Sequence, residues 1–68
     1  MNTEAKTNLM EMAARIREMR EIIGYSVEQM AEKTEVSVEE YRAVEAGEFD
    51  DLPAPERENI ESFFRKSA

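Results

Sequence analysis

The sequence has no cysteine and no histidine. The first absence excludes a disulfide framework and any thiolate metal site. The second removes the commonest general base and the commonest transition-metal ligand. Tryptophan is missing too, and only two glycines and two prolines interrupt 68 residues. No apolar run is long enough for a membrane span or a secretory leader, so a soluble, cytoplasmic protein is expected. Nor is there a nucleophile beside a base, a glycine-rich phosphate loop or a metal-ligand spacing. The sequence therefore reads as a non-enzyme with no cofactor and no metal. Glu48, Asp50 and Asp51 cluster, but without the ordered spacing of a calcium loop, and are read as a solvated acidic loop.

What remains is rich in Glu, Ala, Met and Arg, a composition that favours helices. The charge is unevenly placed. Residues 1–25 carry four acids and four bases, and residues 52–68 carry three of each. Residues 26–51 carry nine acids against Lys33 and Arg42, so the whole net charge of −7 falls on the middle of the chain.

Residues 1–7 read as a flexible polar tail, and residues 8–68 as one domain. Asn8 with Glu11 three residues on suggests a helix N-terminus closed by a capping box. Leu9, Met12, Ala13, Ile16, Met19 and Ile23 then recur at steps of three and four, a single apolar stripe. Glu11–Arg15 and Arg17–Glu21 are spaced as helical ion pairs, and Gly24 supplies the stop. Two further starts share one grammar, Tyr25-Ser26-Val27-Glu28-Gln29-Met30 and Val36-Ser37-Val38-Glu39-Glu40-Tyr41. In each a serine caps, a Gln or Glu three residues later closes the box, and the residue before the serine can staple to the one four after it. Starts eleven residues apart leave room for a short helix and a tight turn, the spacing of a helix-turn-helix. Pro53 and Pro55 open a last helix whose stripe is Ile60, Phe63 and Phe64. Helices are expected at about 8–23, 27–34, 38–46 and 54–66. Among the remaining apolar residues, Phe49 is expected in the core and Met10 at the surface.

Residues 13–47 resemble the Cro/repressor-type helix-turn-helix family, also called the XRE family. The likeness is carried by Arg15-Ile16-Arg17 with Arg20, by Gly24, by Met30-Ala31 in the first capped helix, and by Val44-Glu45-Ala46-Gly47 after the second. The wording around Val36–Glu48 is most similar to the acidic domains that precede a cupin domain in some bacterial regulators. The resemblance implies an all-α, lambda-repressor-like small bundle of about four helices, acting as the DNA-binding domain of a transcriptional regulator. It implies that Ala31 is the small residue at the helix crossing, that Val36, Tyr41 and Val44 fill the core beside Ile16, Met19, Ile23 and Met30, and that Arg20 pairs with Glu45.

Carried over residue by residue, the positions near DNA fall on Val27, Val38, Glu39 and Ala43; Arg42 is the one cation of the same helix, its face expected beside the groove, and Arg15, Arg17 and Lys33 are expected near phosphates at the flanks. They are an unusual set. Valine and alanine offer only contact with a thymine methyl, and a glutamate can accept from cytosine N4. A duplex carries a charge about every 1.7 Å of axis and repels an acidic face. DNA is thus disfavoured by charge, and binding would be weak or dependent on a homodimer or a second domain. The alternative is an acidic interaction module on a helix-turn-helix scaffold, meeting a basic protein surface.

Overall fold

The computed structural model describes residues 2–67, with side chains described for 8–66. It is an all-α bundle: α1 (Asn2–Ile23), α2 (Val27–Thr34), α3 (Val38–Glu45), a 3-10 turn (Phe49–Asp51) and α4 (Ala54–Ser67). Helix α1 packs on α3, α3 on α2, and α2 on α4. No strand occurs among the described residues.

The first helix begins at Asn2, not at Asn8. The stretch before Asn8 has no Gly or Pro, and Glu, Ala and Lys are good helix formers. An interior asparagine costs at most about 0.7 kcal/mol, too little to force a start there. The tail expected over 1–7 is therefore helical from Asn2, while Met1 lies outside the described residues.

Both serine caps form. Gln29 N–H donates to Ser26 Oγ at 3.1 Å and Ser26 N–H to Gln29 Oε1 at 2.8 Å. The same exchange joins Ser37 and Glu40, at 3.0 Å in both directions. Each box satisfies two of the donors that a helix start leaves unpaired, and a serine cap contributes about 1 kcal/mol.

The two helices end differently. Helix α3 ends through Gly47 at φ +84°, with Glu48 N–H reaching back to Ala43 O at 2.8 Å. A β-carbon on Gly47 would lie 2.5 Å from Met10 Sδ, but that is the far end of a flexible, exposed side chain that can give way, so it is the positive φ that asks for glycine. Helix α2 turns instead on Glu35, which takes the left-handed conformation at φ 60°. Val36 N–H closes that turn on Ala31 O at 3.0 Å, and Asn59 Nδ2 donates to Glu35 O at 3.2 Å.

The core is Ile16, Met30, Ala31, Tyr41, Val44, Phe49, Leu52 and Ile60. Phe63 and Phe64, edge to face at 5.1 Å, pack against it. Thr34 is buried and satisfied, its hydroxyl donating to Met30 O at 2.8 Å. Two members of the expected stripe fail to join. Met19 is 37% exposed and Ile23 46%. The stripe on α1 is wider than one neighbouring helix can cover. Its Ala13, Ile16 and Arg20 side is turned inward, while Met19, at the groove beside α4, and Ile23 remain partly in water.

Candidate nucleic-acid interface

The helix-turn-helix unit is fixed to α1 by one polar cluster. Arg20 grips Glu45 in a fork: Nε donates to Oε2 at 2.6 Å and Nη2 to Oε1 at 3.2 Å. Arg20 Nη1 also donates to Tyr25 O at 3.1 Å, which ties the turn before α2 into the same fork. The Tyr41 hydroxyl donates to Glu45 Oε2. Both ends of the pair are shielded, with side chains 14% and 12% exposed. Burial alone would raise the Glu45 carboxyl, but hydrogen bonds from Arg20 and Tyr41 outweigh it and hold the group below its usual value. Burial first, then the bond to Glu45, pushes the Tyr41 phenol up. The bond to Glu45 raises Arg20. Glu45 is thus fully committed to the fold.

The exposed surface of α3 is narrower than its sequence suggests. Val38 and Ala43 are half-buried and pack against the core, as does Val27 at the start of α2. Glu39 and Arg42 are the exposed members of the expected set on α3. Arg42 lies 3.6 Å from Glu28 on α2, with both side chains about two-thirds exposed. An ion pair in that much water is worth about 0–1 kcal/mol, so it opens easily.

The flanking cations each meet a different neighbour. Arg17 turns to α3, donating from Nη2 to Glu45 O at 3.1 Å, with Nε 3.8 Å from Glu45 Oε1. It thereby serves the last carbonyls of α3 rather than the expected partner Glu21. Lys33 Nζ sits 5.8 Å from the centre of the Tyr25 ring, a cation–π distance. Arg15 lines a groove between α1 and α4 together with Glu11, Glu61 and Arg65. Among the described residues the ion pairs are Arg17–Glu45, Arg20–Glu45 and Arg42–Glu28, and Glu11–Arg15 is not one of them.

The pairings of Arg42 with Glu28 and of Arg17 with the α3 terminus were not legible in the sequence. Both cross between helices, and helical spacing reports only partners on the same helix. Among the described residues no three acidic side chains form a metal-holding group, and no helix is long and apolar enough to cross a membrane.

A family model described as a helix-turn-helix domain matches residues 15–66. No curated protein matches the chain. No solved structure does either.

Proposed function

The chain belongs to a family of helix-turn-helix domains, and from that premise we propose that it is the DNA-directed domain of a transcriptional regulator, one that binds DNA only weakly by itself. The observation that supports this most is the state of Arg42. It is the one cation of α3, and it is held only by a solvent-exposed pair to Glu28. Exchanging that carboxylate for a backbone phosphate costs about 1 kcal/mol at most.

In this reading α3 lies in the major groove. Arg42 meets a phosphate or base edge, and Glu39 accepts from cytosine N4. Val38 and Ala43 offer thymine-methyl contacts from their exposed edges. Arg17 and Lys33 lie at the rim, each already engaged within the domain. With so few cations, only a small number of counterions is released on binding, and affinity stays low. The reading has the domain act by binding alone, in the cytoplasm, without catalysis. Its XRE type and likeness to cupin-linked domains rest on the residue pattern described above.

A second reading is favoured by one observation. Glu28, Glu32, Glu35 and Glu39 are all exposed on α2, α3 and the turn between them. That surface would suit a basic protein partner.

Two variants separate the readings. Glu28→Gln releases Arg42 and should tighten binding to a mixed-sequence duplex several-fold at low salt, while Arg42→Ala should abolish it. If neither changes duplex binding, the regulator reading falls. Capture of a basic protein that is lost in Glu39→Lys would then support the second.

A further inference from the structure

Two hollows lie outside the helix-turn-helix. Between α1 and α4 runs a groove of about 640 Å³, lined on its apolar side by Met12, Ile16, Met19, Phe49, Ile60 and Phe64. A smaller hollow of about 310 Å³ lies between the 3-10 turn and the first half of α4. Phe49 and Glu61 line both, so the two meet there. Small-molecule sites are clefts of about 300–1,000 Å³, mostly apolar, with a few polar groups that fix orientation. The groove has that size and that lining. Its methionines can reshape around a bulky guest, and its phenylalanines offer aromatic contact. Phe64 is itself braced edge to face by Phe63 at 5.1 Å. No residue of α2 or α3 lines either hollow. The site therefore stands apart from the surface turned to DNA or to a basic protein.

The charges around the hollows decide what kind of guest fits. In the groove they balance, Glu11 and Glu61 against Arg15 and Arg65. The smaller hollow is acidic, with Asp50, Glu58 and Glu61 against Arg57 alone. Among the described residues none of those three carboxylates enters an ion pair, so their charge is available to a guest. The chain as a whole carries −7. A body of that sign concentrates cations in its clefts and repels anions. A cation over the face of a phenylalanine ring is also attracted by the ring itself.

We propose that the joined hollows bind an aromatic organic cation. Its rings lie in the groove between α1 and α4. Its positive charge lies toward the end where Phe49 and Glu61 meet Asp50 and Glu58. The apolar lining supplies the affinity, and the carboxylates choose the sign of the guest.

Tetraphenylphosphonium and tetraphenylborate test this, because they match in size and shape and differ in the sign of their charge. Each is titrated into the chain in sodium buffer while backbone amide shifts are followed. The phosphonium should give saturable shifts on α1 around Met12 to Met19, at Phe49, and on α4 around Ile60 to Arg65, with a dissociation constant of about 10 μM to 1 mM. It should also raise the unfolding midpoint, since a ligand of the folded state alone stabilises that state. The borate should bind at least about tenfold more weakly. Glu61→Gln should weaken the phosphonium several-fold, and its side chain is exposed, so the fold is kept. Met19→Ala should weaken it too, by removing part of the apolar lining. Glu21→Gln removes the same charge about two and a half turns past Met12, on the opposite side of α1, and should change nothing. No saturable shift up to about 1 mM phosphonium overturns the proposal. So does equal affinity for the borate, or shifts that map to α2 and α3. An equal loss in Glu61→Gln and Glu21→Gln also overturns it, because only general attraction to a negative chain would then remain.

Discussion

Two regions of this small bundle use their surfaces in opposite ways. The helix-turn-helix, α2 with α3, is closed on the inside and charged on the outside. Met30, Tyr41 and Val44 are fully buried there, both helix starts are doubly capped, and the whole net charge sits on it and the loop that follows. The α1–α4 side is the reverse. It is neutral by segment, and it leaves Met19, Ile22 and Ile23 in water. The difference teaches where each kind of recognition can occur. Polar contact with a target belongs to the first region, and apolar association to the second. Arg20 joins them by carrying a cation from α1 into the Glu45 carboxylate of α3.

The contrast is broken most severely by Tyr41→Ala. Removing a fully buried aromatic costs about 3–5 kcal/mol. That is most of the stability a 68-residue domain has. Urea unfolding followed by dichroism should show a chain largely unfolded without denaturant.

Glu45→Ala comes next. It strands the Arg20 guanidinium in a shielded site, a loss of about 3 kcal/mol. The same pair sets an acid dependence. The Glu45 carboxyl lies below its ordinary value of about 4.3 in the folded state. A group with a depressed folded pKa binds its proton more readily when unfolded, so its contribution is complete above the ordinary value and is lost as pH falls through the folded one. Unfolding free energy should hold from pH 7 to about pH 5 and then fall toward pH 3, with a shallower fall in Glu45→Gln.

A smaller effect, with the sign reversed, is expected at Glu35. A non-glycine residue in the left-handed region costs about 1–2 kcal/mol, partly offset because glycine is freer in the unfolded chain. Glu35→Gly should therefore stabilise by about 0.5–1 kcal/mol and sharpen the helix-turn-helix as the more rigid region. Slower amide exchange at Val36 and Ser37 would register it. Ile22→Ala on the other side should change the unfolding free energy of dilute protein by no more than about 0.5 kcal/mol.

These sites also differ in how far the sequence revealed them. The two serine caps were legible because a capping box is written within four residues. The place of Arg20 against Glu45 came through family resemblance, since nothing local links positions 25 residues apart. The exposure of Met19 and Ile23 was hidden because periodicity reports that a helix has an apolar face, not how much of it a neighbour covers. Helix α1 starts at Asn2 rather than at Asn8 because a cap signal carries little weight where the preceding residues also favour helix. On α3, sequence position alone could not reveal that Val38 and Ala43 are drawn toward the core, leaving Glu39 and Arg42 to face outward.

The most direct test of the helix-turn-helix as a DNA-directed surface is the affinity of the chain for a mixed-sequence duplex at low salt and again at higher salt. Weak binding that falls as salt rises, with the shallow slope of only a few phosphate contacts, is the expected result, the mark of Arg42 and the few cations beside it releasing counterions from phosphates. No binding even at the lowest salt would contradict it, and would turn the acidic face of α2 and α3 toward a basic protein instead.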